Sequence, residues 1–306
     1  MKTLFVMDPV GTILVDEDTS FALMREGDSR GHSVDHCGTK DVMLRGGDAC
    51  VRARPATIHA GGVNLGDVRE LRAADYDVIF IRSDPPFDDA YLWMTLILER
   101  ARGAVRIVND PRGLRDANEK LYACHFPEVM PETLVSADRQ SIADFTEAVG
   151  GRAVIKPVDG HGGEGIFALT QGDKNFNACV EAVTHTGRRV AMVQAYLPEV
   201  TEGDKRILLA GEEVLGAILR VPQKNDLRSN IHVGGTVAHA ELTDADRAIV
   251  EAMTPRLKAD GLFFVGLDVI GGKLTEVNVT SPTGIQQMTR LSGRNCEARV
   301  WEQLES

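Results

Sequence analysis

Gly160-His161-Gly162-Gly163-Glu164-Gly165 is the segment that most restricts what this 306-residue chain can fold into. It reads G-x-G-x-x-G letter for letter, a pattern common to several unrelated phosphate-binding loops, so its flanks decide among them. A dinucleotide-binding fold needs a helix directly after the loop, because the helix N-terminus meets the pyrophosphate. Here Ile166-Phe167-Ala168-Leu169 follows, an apolar run that reads as a strand. A P-loop needs G-K-[ST] at its end, and that is absent. A kinase loop does lie between two strands, but its lysine strand comes after the loop and H-R-D and D-F-G triplets follow. In this chain Lys156 precedes the loop, on 153–157, and neither triplet occurs. What remains is a hairpin whose backbone N–H groups fold over phosphates, with Lys156 supplying a cation on the same strand. A tight structural turn is the simpler use of glycine, but four glycines in six residues exceed what one turn needs.

The rest of the chain alternates in ways that place this hairpin. Strands are expected at 3–7, 78–81 and 105–108, with helices at 19–30, capped by Thr19 or Ser20, and at 89–102. Strand, helix, strand, helix, strand predicts a parallel α/β layer over roughly the first 120 residues. Helices at 136–149 and 175–185 with strands at 153–157, 166–169 and 190–194 predict a compact α+β unit around the loop. Strands at 206–210, 214–220, 262–270 and 274–277, with a helix capped by Thr243 over 243–260, form a third segment. No internal repeat or low-complexity linker interrupts this order. Boundaries fall near 120 and 200.

In the third segment, Asp268, Glu276 and Asn278 lie on two apolar strands around Gly271-Gly272. Acids inside such strands are costly to bury unless paired or metal-bound, although one exposed sheet face would also tolerate them. Two carboxylates and an amide are hard oxygen donors, the set that suits Mg²⁺ completed by water and phosphate. For Asp268 and Glu276 to share a face they must oppose each other across the pair. A plain two-residue Gly-Gly turn would oppose Asp268 to Thr275 instead, so a three-residue connection, Gly271-Gly272-Lys273 with a glycine at positive φ, or an equivalent bulge is expected. Lys120, Lys156, Arg206 and Arg220 are the cations in the segments that carry the loop and the carboxylates.

Composition narrows the partners. Lys plus Arg is 34 against 45 Asp plus Glu, a net charge of −11, which argues against a general nucleic-acid or anionic-membrane binder. Five scattered cysteines without a C-x-x-C pair indicate free thiols in a reducing cytoplasm. The first acid, Asp8, comes too early for a signal peptide, and the longest apolar run, 262–270, is broken by Asp268 and is far too short to span a membrane.

Several longer runs resemble the bacterial glutathione synthetases of the ATP-grasp superfamily. They are Val6-Met7-Asp8-Pro9, Asp84-Pro85-Pro86-Phe87-Asp88, residues 114–121 (LRDANEKL), residues 131–135 (PETLV), Lys156-Pro157 with the glycine loop, Gly203-Asp204-Lys205-Arg206, and residues 264–270 continuing through 274–283 (LTEVNVTSPT). The resemblance covers nearly the whole chain. It implies an ATP-grasp fold of three domains: an N-terminal α/β domain over 1–119, a central α+β lid over 120–200 and a catalytic domain over 201–306. It implies a ligase that phosphorylates the C-terminal carboxylate of γ-glutamylcysteine with ATP and passes the acyl group to glycine. ATP is then a co-substrate, Mg²⁺ or in its place Mn²⁺ the cofactor, and a dimeric or tetrameric homo-oligomer the assembly. By position, Lys120, Lys156, Gly160, Gly162, Gly163, Gln194, Tyr196, Leu197 and Asp204 look like the ATP contacts. Arg206 and Arg220 look like the cations over the transferring phosphoryl group, and Asp268, Glu276 and Asn278 like the metal ligands. Arg228, Asn230, Ser281, Pro282 and Thr283 look like substrate contacts. Ser83, Ala195 and Ser229 depart from the family pattern. The competing readings are an ATP-grasp ligase for another peptide or amino acid and a non-catalytic ATP-binding regulator. The metal trio and the arginine pair favour catalysis.

Overall fold

The computed structural model describes residues 1–222 and 236–306. Arg228, Ser229 and Asn230 lie outside the described residues. Among the described residues no helix is long and apolar enough to cross a membrane.

Three sheets carry the fold. In the first, Lys2–Val6 lies between Ser33–Cys37 and Val78–Ile81, with Arg106–Val108 outside, all parallel. The strands at the centre are continuous apolar runs, as a sheet covered on both faces requires. Four further strands, Val42–Arg45, Asp48–His59, Gly62–Leu65 and Arg69–Arg72, extend this sheet through antiparallel pairings on Asp48–His59. No element was expected over 33–72. The apolar–polar alternation of Val51-Arg52-Ala53-Arg54 is the signal that marks the longest of these strands. The helix Thr19–Ser29 is capped by Asp18, whose side chain accepts from the Phe21 N–H at 2.6 Å, rather than by Thr19 or Ser20, which are buried. The expected 89–102 helix is regular over Asp89–Leu98 and tightens into a 3₁₀ turn at Glu99–Ala101.

The second sheet is antiparallel, ordered Phe167–Thr170, Arg152–Pro157, Ala191–Ala195, Thr133–Ser136, with helices Arg139–Ala148 and Phe176–Thr184 on one side. It has a core of its own, in which Ile142, Ile155, Leu169, Val180 and Val193 are buried together. The third sheet is also antiparallel: Thr236–His239, Glu213–Val221, Asp204–Ala210, Phe264–Ile270, Lys273–Asn278. Asp244–Ala259 packs beside it behind the Thr243 capping box.

The first and third sheets share their cores. Phe5 stacks on Phe80 at 4.6 Å, and Phe80 meets the edge of Trp301 at 5.3 Å. Trp301 is fully buried and its indole N–H donates to the Leu23 carbonyl at 2.9 Å. It comes from Cys296–Glu305, one of two closing helices, with Ile285–Ser292, for which no expectation existed. The Asn295 cap and the helical spacing of Cys296, Val300, Trp301 and Leu304 mark the second.

Asn109 fastens the two sheets together. Its Nδ2 donates to the carbonyls of Phe264 and Val279 at 2.9 and 2.7 Å, and its Oδ1 accepts from the Phe263 and Phe264 N–H groups at 2.8 and 2.7 Å. This one buried side chain saturates four backbone groups of the third segment. Asn109→Leu keeps the branched shape but strands those groups, at about 1 kcal/mol or more each. The expected loss is about 3–5 kcal/mol of unfolding free energy, read from urea denaturation. A loss below about 1 kcal/mol would mean that water replaces the amide.

Candidate active site

A cavity of about 810 Å³ opens where the three sheets meet, and its walls hold nearly every residue singled out above. The first sheet contributes the C-terminal ends of its central strands, through Met7, Asp8 and Arg82, which is where open parallel sheets bind ligands. The second contributes Lys156, the glycine loop and Gln194 to Leu197, and the third contributes Asp204, Arg206, Arg220, Asp268, Glu276 and Asn278.

Register explains why the third sheet presents so many charges on one face. Arg206 opposes Asp268, which opposes Glu276; Asp204 opposes Arg220, two residues along from the pair of Arg206 with Ile218. Opposed residues share a face and the face repeats every second residue, so Asp204, Arg206, Arg220, Asp268, Glu276 and Asn278 all point the same way. The connection that achieves this is not the three-residue loop. Gly271 and Gly272 form a two-residue turn with both φ angles positive, and the ladder is shifted between Asp268 and Val269, leaving Thr275 as an extra residue. This is the bulge alternative. Its carbonyl accepts from Lys156 Nζ at 3.1 Å, and its hydroxyl donates to the Asp268 carbonyl at 3.1 Å.

The charges are paired tightly. Arg206 grips Asp268 through Nε and Nη2 at 2.6 and 2.8 Å, and Arg220 reaches Asp268 at 3.0 Å while pairing with Asp204. Burial works to raise the Asp268 carboxyl, but the two guanidiniums outweigh it and hold it well below the usual carboxylate range. Asp204 is the opposite case: burial raises it to about 6 against the pull of Arg220. Lys120 Nζ donates to Glu276 Oε1 at 2.9 Å and to the Gly160 carbonyl. Burial lowers Lys156 to about 8, against the attraction of Glu276.

The glycine loop joins Arg152–Pro157 to Phe167–Thr170, the strand–loop–strand order that separates it from a dinucleotide fingerprint. Gly162, Gly163 and Gly165 have positive φ, and a Cβ at Gly160 would lie 2.6 Å from Pro157 Cγ. Beside the loop, Gln194 donates to the Thr133 hydroxyl at 3.1 Å, and Arg152 lies 3.9 Å over the Tyr196 ring. Ser281 and Thr283 line the cavity; Pro282 lies outside its wall, and its carbonyl accepts from Arg82 Nη2 at 2.9 Å.

Three features escaped the sequence. Arg82 is buried in the cavity wall, held through Nε by Ser20 at 3.1 Å, and its Nη1 has no partner among the described residues. Its place at the end of an apolar strand, just before Asp84-Pro85-Pro86, is the signal. Glu119 is held at the cavity edge by the Val279 and Thr280 N–H groups and the Thr280 hydroxyl, and burial raises its carboxyl. Val154, Ala168 and Ile270 give the cavity an apolar slot that no motif announced.

Asp268, Glu276 and Asn278, expected as metal ligands, lie on one wall, and two carboxylates and an amide are donors of the kind Mg²⁺ takes. Asp268 and Glu276 are each neutralised by cations, and among the described residues no group of three or more His, Cys, Asp and Glu side chains is arranged to hold a metal.

Comparison with known proteins agrees with this layout. The pattern of the prokaryotic glutathione synthetase N-terminal domain matches residues 1–115, and that of the prokaryotic glutathione synthetase ATP-grasp domain matches residues 119–293. The chain is 48% identical to a glutathione synthetase of Gloeobacter violaceus, over 96% of this chain and 93% of that one. It is 40% identical to that of Rhodopseudomonas palustris, over 100% and 98%. Among solved structures, the D-cycloserine synthetase DcsG superposes with a TM-score of 0.68 at 14% identity, covering 99% of both chains. The ATP-grasp ligase PsnB superposes with a TM-score of 0.65 at 15% identity, covering 99% and 97%. These two likenesses establish the fold. With matches along nearly its whole length, the chain belongs to the prokaryotic glutathione synthetase family and has the ATP-grasp fold.

Proposed function

We propose that this protein joins γ-glutamylcysteine to glycine at the expense of ATP, giving glutathione, ADP and phosphate. The observation that carries this reading is the convergence of lysines, arginines and carboxylates on one cavity of a chain 48% identical to a glutathione synthetase. A carboxylate is a poor acyl donor. Its oxygen attacks the γ-phosphorus, the bond to the β–γ bridging oxygen breaks, and ADP leaves. The glycine amine then attacks the acyl carbon and the C–O bond to phosphate breaks. The protein aligns donor and acceptor and meets developing charge with preorganised cations.

In this reading the apolar slot of Val154, Ala168 and Ile270 takes the adenine beside the 194–197 segment. Lys120 and Lys156 trade their contacts with Glu276 and Thr275 for phosphate oxygens. The glycines bring backbone N–H groups to the same phosphates. Arg206 and Arg220 face the transferring phosphoryl group, and Arg82, in the cavity wall, takes a substrate carboxylate. Asp268, Glu276 and Asn278 would hold Mg²⁺, which neutralises phosphate charge when bound. Residues 120–200 form a lid with its own core that closes the acyl phosphate off from water, between an N-terminal domain over 1–119 and a catalytic domain over 201–306. The free cysteines support a cytoplasmic placement. A homo-oligomer is the assembly.

Phosphate release from ATP is expected only with γ-glutamylcysteine, glycine and Mg²⁺ all present. Turnover with another amino acid and none with glycine would leave the ligase chemistry but remove the glutathione assignment. Arg220→Lys is expected to lower kcat by roughly 10²-fold with a smaller effect on the KM for ATP, because a compact ammonium cannot hold the same geometry. An unchanged kcat would place Arg220 outside the chemistry.

Lys156 gives a pH signature. Its ammonium binds phosphate only when protonated, and it loses its proton as pH rises through about 8. The kcat/KM for ATP is therefore expected to be level below that pH and to fall roughly tenfold per unit above it. Lys156→Arg stays charged and should remove this fall. The same profile in both proteins would assign the titration to another group.

A further inference from the structure

The end of the cavity formed by the first sheet carries charges that the nucleotide and metal groups leave unused. Arg82, just past Val78–Ile81, is buried in that wall. Its Nε donates to Ser20, its Nη2 donates to the Pro282 carbonyl, and its guanidinium lies 5.4 Å over the Phe264 ring. None of these partners is charged. Among the described residues no carboxylate pairs with Arg82, and a buried cation without a counter-ion is costly. Asp18 and Asp84 line the same cavity, near enough to act on its charge through space. Asp8 joins them, accepting from the Asp84 N–H at 2.8 Å. Thr19 and Gln287 also line the cavity, each with a buried side-chain oxygen that has no partner among the described residues. Gln287 is brought to this end by Gln286, whose Nε2 donates to the carbonyls of Val15 and Asp18 at 3.0 and 2.8 Å. Buried polar atoms without partners are rare in a folded chain, so their gathering at one end of one cavity points to a polar ligand there.

One cation among several acids selects a ligand that carries both signs. A lone carboxylate meets Arg82 but is repelled by the aspartates, and a lone ammonium is repelled by Arg82. An α-amino-acid head, with both charges on one carbon, complements both. A distance then selects among the amino acids that the ligase reading supplies. Arg206 Nη1 donates to the Thr283 carbonyl at 3.4 Å, and Thr283 directly follows Pro282, which holds Arg82. Consecutive residues lie about 3.8 Å apart, so the two guanidiniums stand within roughly 11 Å of each other. γ-Glutamylcysteine carries one carboxylate at each end of a chain that reaches roughly 9 Å when extended. With its cysteinyl carboxylate reacting near Arg206, its glutamyl end arrives at Arg82. That end is a free α-amino-acid head, and neither of its charges changes in the reaction. Glycine does not suit the place, because its amine must lose a proton to attack and the aspartates would hold it as an ammonium.

We propose that the first-sheet end of the cavity recognises the γ-glutamyl head of the donor, Arg82 binding its α-carboxylate and Asp18 with Asp84 binding its α-ammonium. The inference rests on the ligase reading and adds to it the residues that set donor specificity.

Donor analogues test it, through kcat/KM for phosphate release by the full chain with ATP, Mg²⁺ and glycine. Glutarylcysteine lacks only the α-ammonium, and γ-aminobutyrylcysteine lacks only the α-carboxylate. The wild-type protein is expected to use each at least roughly 10²-fold less well than γ-glutamylcysteine, because a site built for a polar group rejects the analogue that lacks it. Asp18→Asn keeps a side chain able to cap Thr19–Ser29 and removes the charge. Combined with Asp84→Asn, it should lower kcat/KM for γ-glutamylcysteine at least roughly tenfold without lowering that for glutarylcysteine, while the preference over γ-aminobutyrylcysteine persists. Arg82→Met should do the converse and abolish the preference over γ-aminobutyrylcysteine. If Arg82→Met does not fold, the wild-type analogue series and the aspartate variant still decide. Equal use of γ-glutamylcysteine and either analogue by the wild-type protein, or an aspartate variant that loses all three donors by the same factor, would overturn the proposal while leaving the ligase reading intact. No turnover of γ-glutamylcysteine or either analogue would remove the ligase reading and the proposal with it.

Discussion

Asp268 is buried between Arg206 and Arg220, and an isolated carboxylate at that depth would take up a proton rather than stay charged. The two guanidiniums keep it ionised, and it in turn keeps them ordered on the face of the third sheet. Buried ion pairs of this kind contribute little net stability, since desolvation offsets most of the attraction. Their value is positional. Four neighbouring strands place Asp204, Arg206, Arg220, Asp268 and Glu276 in one layer, so the cations are ordered without any bound anion. Preorganisation of that sort removes the reorganisation cost that freely moving side chains would incur.

The bulge at Thr275 makes the layer possible. A regular ladder closed by the two-residue turn at Gly271-Gly272 would send Glu276 to the other face. One extra residue restores the pairing of Asp268 with Glu276 and turns a backbone carbonyl toward Lys156. Glu276 then anchors Lys120. A single local irregularity thus connects both lysines to the carboxylate strands.

Cohesion is distributed unevenly around this layer. The first and third sheets are joined by shared apolar cores, by Trp301 and by the four hydrogen bonds of Asn109. The second sheet buries its own set of side chains. It meets the others through Met192, Val135 and Val158, which pack against their apolar core, and through polar contacts at the cavity such as those of Lys156 and Gly160. A unit that keeps most of its core to itself is the part of a structure best able to move as a body.

Much of this arrangement is legible in the sequence. The strand–glycine loop–strand order, with Lys156 ahead of the loop, excluded three common nucleotide folds by local chemistry alone. The parallel opening layer, the carboxylate hairpin and the Thr243 cap follow from periodicity and capping, which act over a few residues. The strands over 33–72 were obscured by their charges, and the closing helices carry weak signals whose meaning depends on the sheet they cover. The loop and the bulge both oppose Asp268 to Glu276, so local sequence left them equal; in the fold Val269 pairs with Leu274 and Thr275 is left over. Arg82 and the apolar slot depend on residues far apart in the chain meeting at one cavity. Local sequence therefore determined the elements and their chemistry, while the company each charge keeps was decided only by tertiary structure, since burial and pairing are properties of neighbours in space and not of neighbours in the chain.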